Sequence, residues 1–291
     1  MRPPFNGYLR WAGSALAIAG IAFVVLRLRD YGAEMDFTRF GVFEWTVVTG
    51  LAVVYGLGNL MLAVAWWHLL GQFGVHISRR WAVRAYAVSQ LAKYVPGNIF
   101  HLAGRQAIGL AAGVSGWVLA KSALFELSLI SGTAVFFFLL VAPLVAPVVS
   151  VAVSVGTFLV TIGLCAGLLW RFKGPSVAFA FGWYAGFLTL SGTLFVGLVQ
   201  LFSETPISGY LLFPLLGAYV IAWIAGLVTP GAPAGIGVRE LVLIILLGGV
   251  IGDGDLVFAV LVARMVTVVG DVLIYIAAAM PPFNSRENDS P

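Results

Sequence analysis

Three polar side chains in the first half of the chain share one face of a predicted helix. Asn98, His101 and Arg105 are spaced at i, i+3 and i+7, which aligns side chains along a helix. Asn98 directly follows Pro96-Gly97, so it occupies the position of a helix N-cap. Free N–H groups and the positive end of the helix dipole would then lie beside these side chains. This combination favours an anion such as a phosphate.

A second polar stripe precedes the same Pro-Gly break. Tyr86, Ser89 and Lys93 repeat the i, i+3, i+7 spacing on the segment before it. Two such stripes around a helix N-terminus predict a binding site for a phosphate group. The alternative is an amphipathic helix that lies at the cytoplasmic surface and keeps its basic face in solvent. A surface helix does not need a Pro-Gly break at its centre, and the break therefore favours the site.

Glycines also precede a pair of charged residues in the second half of the chain. Gly235 and Gly237 come just before Arg239 and Glu240. Adjacent helical residues point about 100° apart, so this arginine and glutamate need not pair with each other. The segment is a poor nucleotide fingerprint, because no third glycine follows at the required spacing and no strand precedes it.

Four ionisable residues interrupt otherwise apolar helical segments: Lys121, Glu126, Arg264 and Asp271. Lys121 lies near the cytoplasmic end of its span, where its side chain is expected to snorkel to the surface. A charge at the centre of a bilayer costs roughly 2.5–3.5 kcal/mol on insertion scales, so each should face the protein interior or water. One interpretation is a polar pathway through the membrane, in which Glu126 and Asp271 are proton-linked. The other is a structural role as buried partners of Arg105, Arg239 or Arg264.

The composition identifies the class of protein that must position these residues. The chain is 61% hydrophobic and only 10% charged, against about 25% charged for a soluble domain. Residues 127–170 contain no charged side chain, which is enough for two membrane crossings of about 20 residues each. We therefore predict one integral membrane domain over residues 1–280 and a short polar tail over residues 281–291. The single cysteine, Cys165, excludes a disulfide within the chain.

Other function classes lack their motifs. The sequence has no His-Glu-x-x-His zinc motif, no Gly-x-Ser-x-Gly nucleophile motif and no complete P-loop, so no catalytic residue, metal or cofactor is predicted. A net charge of +4 and a pI near 9.4 would suit nucleic acid. The basic residues are scattered along spans and short loops, however, which indicates the positive-inside bias of membrane proteins instead.

Hydrophobic runs predict an all-α polytopic fold with about six full transmembrane helices, over residues 9–26, 45–70, 117–141, 144–170, 176–201 and 256–280. Two further apolar regions, 81–112 and 210–250, are broken near their centres by Pro96-Gly97 and by Pro230-Gly231. Each predicts two half-helices in a re-entrant hairpin, with its bend buried in protein or lining a wet cavity. Opposed hairpins are typical of an inverted-repeat transporter, although the halves share no obvious residue-level repeat.

Loop charges predict the orientation of these segments. Arginine and lysine cluster at the N-terminus, before the first hairpin and after residue 170. With both termini in the cytoplasm, every unmixed basic cluster lies inside. The first hairpin then enters from the cytoplasm and the second from outside. The expected location is the cytoplasmic (inner) membrane of a bacterium.

Both motifs resemble the hallmarks of one family, the lysylphosphatidylglycerol synthetase transmembrane (flippase-like) family. The first is SQLAKYVPGN at residues 89–98, followed by His101 and Gly104-Arg105; the second is Pro230-Gly231 followed by GIGVRE at residues 235–240. The resemblance implies a multi-pass unit with re-entrant helices that moves aminoacylated phosphatidylglycerol between leaflets, as in multiple peptide resistance factors. This chain is expected to be a stand-alone member without their aminoacyltransferase domain. Such relatives suggest a polyprenyl-linked or other anionic lipid as well.

The expected function is therefore a non-enzymatic lipid translocase. Its lipid would be an anionic or aminoacylated phospholipid, or a polyprenyl-linked lipid. The alternative is a membrane accessory protein that docks a cell-envelope glycosyltransferase or lipid synthase and transports nothing. A homo-oligomer is compatible with either role. The residues expected to contact the headgroup are Lys93, Asn98, His101, Arg105, Arg239 and Glu240.

Overall fold

The computed structural model describes residues 26, 29, 30, 33, 35–95, 99–204, 206–229 and 233–280. The first predicted span, apart from its last residue, and the predicted tail lie outside these residues. The predicted breaks at Pro96-Gly97 and Pro230-Gly231, and the predicted N-cap Asn98, also lie outside them.

The described chain is all-α. It is 84% helical and has no strand in the described residues, which confirms the helical class. The α-helices are α1 (Val42–Gln72), α2 (Arg79–Gln90), α3 (Phe100–Ala111), α4 (Gly116–Val135), α5 (Phe138–Val145), α6 (Val151–Lys173), α7 (Pro175–Phe202), α8 (Leu212–Val228), α9 (Val238–Leu247) and α10 (Asp253–Ala279). Four 3-10 turns accompany them, at Phe37–Arg39, Leu91–Tyr94, Gly209–Leu211 and Pro233–Gly235.

Six segments of the described chain are long and apolar enough to cross a membrane: Val42–Gln72, Gly116–Val145, Val151–Lys173, Pro175–Phe202, Gly209–Val228 and Gly254–Ala279. This is the architecture of a multi-pass membrane protein. Five of the six correspond to predicted spans. The sixth, Gly209–Val228, was expected to be only the first arm of a hairpin, yet its 20 residues suffice to span by length and composition. The second arm, α9, has ten residues, so the two arms are unequal.

The helix boundary near Pro143 differs from the predicted one. The sequence places a span end at this proline, but Pro143 lies inside α5 and the chain turns after Val145. Proline has no N–H to donate to the carbonyl four residues earlier, which is that of Leu139. The hydroxyl of Ser154, at the start of α6, donates to that carbonyl instead. A side chain from the next helix thus replaces the missing backbone donor.

Helices α1, α7 and α10 pack against one another at the centre of the bundle. The crossing of α1 and α10 is close because Gly56 and Gly270 face each other. A Cβ atom at Gly56 would lie 2.8 Å from the carbonyl oxygen of Gly270, and one at Gly270 would lie 2.7 Å from that of Ala52. Helix α6 lies at the periphery, and its exposed leucines and valines form an apolar outer face suited to lipid.

The chain path shows that the two broken regions enter from opposite ends of the bundle. Helix α1 begins beside the end of α7, where the rings of Phe40 and Phe202 are 5.1 Å apart. The segment after α7 returns to this same end, because the N–H of Glu204 donates to Asp255 Oδ2 at the start of α10. At the other end of α1, Lys121 Nζ of α4 lies 5.5 Å from the ring centre of Phe73. Helices α2 and α3 therefore leave and return at that opposite end.

Candidate functional site

Three ion pairs lie inside this helix assembly, and all six of their members were singled out from the sequence. The pairs are Lys93 with Asp271 at 2.7 Å, Arg105 with Glu126 at 2.9 Å, and Arg264 with Glu240 at 2.6 Å. Taking two charges out of water is costly, and only close geometry with additional hydrogen bonds offsets that cost. The surroundings of each pair therefore indicate what it does.

The pair between Arg105 and Glu126 joins α3 to α4. Arg105 is 3% exposed, and its guanidinium lies 4.2 Å from the ring centre of Tyr86 and 5.3 Å from that of Trp66. The hydroxyl of Tyr86 donates to Glu126 Oε1 at 3.3 Å. The guanidinium is thus held between two aromatic rings and a carboxylate. In the described conformation, the anion that contacts Arg105 is the carboxylate of Glu126, which belongs to the protein itself.

The pair between Lys93 and Asp271 joins the end of α2 to α10. Asp271 is fully buried, and its Oδ2 also accepts a hydrogen bond from the Tyr94 hydroxyl at 2.5 Å. Its Oδ1 accepts from Asn59 Nδ2 at 3.0 Å, and the Gln90 amide donates to Asn59 Oδ1 at 3.3 Å. Sequence reasoning did not single out Asn59, and it named Gln90 only as part of the SQLAKYVPGN motif. Asn59 was recognisable as a lone amide near the middle of an apolar helix.

The pair between Arg264 and Glu240 joins α10 to the region of the second break. Besides Glu240, Arg264 donates from Nη1 and Nη2 to the carbonyl oxygens of Ala234 and Gly235, both at 2.9 Å. The backbone there is left-handed, with φ of 49° at Ala234 and 72° at Gly235. These carbonyls point away from a regular helix and need a donor from elsewhere. Arg264 supplies it and so holds this turn on α10.

Helix α10 therefore contacts both broken regions, the first through Asp271 and the second through Arg264. Arg264 and Asp271 are seven residues apart, about 10 Å along one face of the helix. Between them, Val268 packs with Leu91 and Tyr94 of the first region and with Ala234 of the second. Arg264 is near the middle of α10, so the two turns meet level with the centre of the helix bundle.

Arg239 is a predicted headgroup residue that forms no ion pair in the described part of the chain. None of the described carboxylates lies within ion-pair distance of it, and its enclosed Nε has no hydrogen-bond partner. Its guanidinium lies 5.5 Å from the ring centre of Trp223. Its stem crosses Gly226, where a Cβ atom would lie 2.8 Å from Arg239 Cγ. The close packing of Gly226 against Gly235 leaves room for this side chain and fixes its direction.

A cavity of about 50 Å³ lies between the two broken regions. Its polar wall consists of Tyr86, Gln90, Lys93, His101, Glu126 and Arg239, and its apolar wall includes Leu102, Leu127, Ile130 and Leu227. A water molecule needs about 10–15 Å³ of such space, so the cavity has room for a few waters and not for a lipid headgroup.

The cavity brings together some predicted headgroup residues and leaves others aside. Lys93, His101 and Arg239 line it, whereas Arg105 and Glu240 contact their ion-pair partners beside it. His101 is 7% exposed, and its Nδ1 has no hydrogen-bond partner. With Arg105 also buried, this face of α3 is not the solvated basic face of a surface helix. Sequence reasoning did not single out Trp223, since an aromatic residue in an apolar helix is ordinary.

No protein-family model, curated protein or solved structure matches this chain. The family resemblance of the two motifs therefore stays a prediction. Among the described residues, no three His, Cys, Asp or Glu side chains are grouped to hold a metal ion.

Proposed function

We propose that this protein moves a lipid with an anionic headgroup between the two leaflets of a membrane, and that the cavity beside Arg239 receives the headgroup. One observation carries the proposal. Arg239 is a partly enclosed guanidinium with no carboxylate partner among the described residues, and it faces the same cavity as Lys93 and His101.

Electrostatics supports an anion as the occupant. An enclosed charge without a partner is costly, and the ligand that offsets the cost most is an ion of opposite sign. The planar guanidinium of Arg239 can donate two parallel hydrogen bonds to a phosphate. His101 can add a hydrogen bond, and Lys93 adds a positive charge on the opposite wall if its bond to Asp271 loosens.

The surroundings of the cavity support a lipid rather than a free anion. Three of the helices that line it, α1, α4 and α8, belong to segments of membrane-spanning length. Leucines such as Leu102, Leu127 and Leu227 line the wall next to the polar side chains. A headgroup could therefore bind the charged wall while its acyl chains follow the apolar one.

The placement of the two broken regions supports movement between leaflets. The regions enter from opposite ends of the bundle and meet on α10, so we infer two re-entrant hairpins whose bends lie at membrane depth. Loosening Lys93 from Asp271 would free the first hairpin, and loosening Arg264 from Gly235 would free the second. Opening them in turn would widen the cavity, which is too small for a headgroup in the described conformation, and would expose it to each leaflet.

A reconstituted system tests this proposal. Purified protein in phosphatidylcholine vesicles with a trace of fluorescent phosphatidylglycerol should speed the loss of dithionite-protected fluorescence. Arg239→Gln should slow that exchange by about tenfold or more, since one buried charged contact with the headgroup is lost. Arg171→Gln removes an exposed arginine at the end of α6 and should leave the rate unchanged.

The accessory role is the alternative, and this assay separates the two. Wild-type protein that is correctly folded in vesicles and accelerates no lipid would overturn the translocase proposal. Co-purification with a glycosyltransferase or lipid synthase would then favour the accessory role.

A further inference from the structure

We propose that the headgroup is a monoanionic phosphodiester without an ammonium group, which is the chemistry of phosphatidylglycerol. This inference rests on the proposed function and deepens it by naming the charge of the substrate. It follows from how the described charges in and around the cavity are paired.

The charges around the cavity leave a single positive charge without a partner. Each of the three acids in this region, the buried Glu126 and Asp271 and the partly buried Glu240, forms an ion pair with one base. Arg239 is the fourth base and has none among the described residues. His101 has no carboxylate within ion-pair distance in the described chain, so it is counted as a neutral imidazole. A ligand with one negative charge therefore balances the enclosed site, where low dielectric makes a net charge costly.

An ammonium group on the ligand finds no carboxylate that is free of a base. Glu126 is the acid on the cavity wall, and its Oε2 has no hydrogen-bond partner. Its charge is nevertheless balanced by Arg105, whose Nη1 lies 2.9 Å from Oε2 and 3.0 Å from Oε1. Glu240 has one enclosed oxygen without a hydrogen-bond partner, Oε2, but Glu240 is held by Arg264 and does not line the cavity. A zwitterionic or aminoacylated headgroup would thus bring a second positive charge next to Arg239 with nothing to offset it.

A phosphomonoester carries too much charge for this site. At neutral pH it holds about −1.5 to −2 charges, against −1 for a phosphodiester. The excess would need a second free base on the cavity wall. The other cation there, Lys93, adds no net positive charge, because fully buried Asp271 pairs with it at 2.7 Å and its carboxylate remains beside the site if that bond loosens. A phosphodiester matches the one free guanidinium, and the neutral His101 can donate to a remaining phosphate oxygen.

Transport selectivity among four lipids tests this inference without any variant. In vesicles that differ only in the fluorescent lipid, wild-type protein should move phosphatidylglycerol at least about tenfold faster than phosphatidylcholine, lysyl-phosphatidylglycerol or phosphatidic acid. Equal rates for all four lipids would overturn the charge assignment while leaving the translocase proposal standing. Preference for the lysyl lipid would also overturn it and would indicate that Glu126, the acid on the cavity wall, binds the ammonium group.

Variants of Arg239 test whether this residue determines the lipid selectivity. Arg239→Gln should bring the ratio of phosphatidylglycerol to phosphatidylcholine rates close to one. Arg239→Lys should keep part of the preference, since lysine retains the charge and loses the two-pronged contact. Arg171→Gln is the matched control and should keep the wild-type ratio. Unchanged selectivity in a folded Arg239→Gln protein would place the anion elsewhere and overturn the inference.

A binding measurement tests the headgroup assignment without relying on lipid transport. In detergent, short-chain phosphatidylglycerol should raise the unfolding temperature of the wild-type protein more than short-chain phosphatidylcholine, because a ligand stabilises the state that it binds. Glycerophosphoglycerol and inorganic phosphate serve as headgroup-only probes and should stabilise less. Selective stabilisation by phosphatidylglycerol in a protein that moves no lipid would sink the translocase proposal and support the headgroup assignment. Equal stabilisation by inorganic phosphate would show a free-anion site and overturn the lipid assignment.

Discussion

Arg264 and Asp271 stand about two turns apart on one face of α10, and each holds a different broken region of the chain. Asp271 accepts Lys93 and Tyr94 from the first region, whereas Arg264 donates to two carbonyls of the second. Their separation of about 10 Å keeps this acid and base from neutralising each other. A single helix therefore presents opposite charges to the two regions, and a shift of α10 would act on both.

Removing the carboxylate of Asp271, which holds the first broken region on α10, should destabilise the protein. Asp271→Asn leaves Lys93 without its carboxylate, and breaking a buried pair in this way costs about 3–5 kcal/mol. Thermal unfolding in detergent, followed by tryptophan fluorescence, should show a clear fall in unfolding temperature. Lys93→Met in the same chain should recover part of the loss. Glu204→Gln removes an exposed acid and is the control; an equal loss from both variants would contradict the role of Asp271.

Arg105 and Glu126 should behave as one energetic unit. A double-mutant cycle of Arg105→Met and Glu126→Gln should give a coupling free energy of about 0.5–3 kcal/mol in denaturant unfolding, because the residues are in direct contact. Lys121, also on α4, is the comparison: Lys121→Met should show no coupling to Arg105→Met. Additive effects of Arg105→Met and Glu126→Gln would mean that Arg105 is free to bind a ligand, as the sequence alone suggested.

The Gly56–Gly270 crossing should not tolerate a methyl group. Gly270→Ala brings a Cβ to 2.7 Å from the Ala52 carbonyl oxygen, and such overpacking typically costs about 1–3 kcal/mol. Gly197→Ala on α7 meets no atom within 4 Å and should be neutral or stabilising, by up to about 1 kcal/mol, since alanine favours helix. Unfolding temperatures of the two variants check this; similar values would show that α1 and α10 do not cross closely.

Ser154 should stabilise the protein because Pro143 has no backbone N–H to donate to the Leu139 carbonyl. Ser154→Ala leaves the Leu139 carbonyl without a donor, and an unsatisfied buried acceptor costs about 1–3 kcal/mol. Adding Pro143→Ala restores the backbone donor and should recover most of that stability. Thr193→Ala, on an exposed turn of α7, is the control and should change little. If Pro143→Ala does not restore the stability lost in Ser154→Ala, the Ser154 hydroxyl does not stabilise the protein through the Leu139 carbonyl.

Cysteine labelling should establish the orientation of the chain. In a Cys165→Ala background, single cysteines at Ser78 and Ser176 should react with an impermeant reagent only from the cytoplasmic side. Cysteines at Thr38 and Ser208 should react only from outside, as the positive-inside bias predicts. Labelling of the cysteine at Ser208 from the cytoplasm would overturn the opposed orientation of the two broken regions.

Much of the architecture follows from local sequence. Spans such as 45–70 and 176–201 are apparent because about 20 apolar residues in a row suit a bilayer and little else. The rarity of charge inside apolar spans also makes Glu126, Arg264 and Asp271 recognisable by residue type and position alone, since membrane insertion penalises each of them. The unequal arms around the second break, by contrast, depend on how far α8 continues against α5 and α7, which a hydropathy pattern does not contain.

The pairing of these charges was decided only by tertiary structure. Four bases (Lys93, Arg105, Arg239 and Arg264) and three acids (Glu126, Glu240 and Asp271) allow many combinations of ion pairs. The spacing of these residues along any one helix excludes few of the combinations. Glu126 meets Arg105 because α3 and α4 pack together, and Asp271 meets Lys93 from a distant part of the sequence because α10 runs beside the end of α2. That packing leaves Arg239 without a carboxylate in the described chain. The residue types are local properties of the sequence, whereas which cation stays free depends on contacts between distant helices.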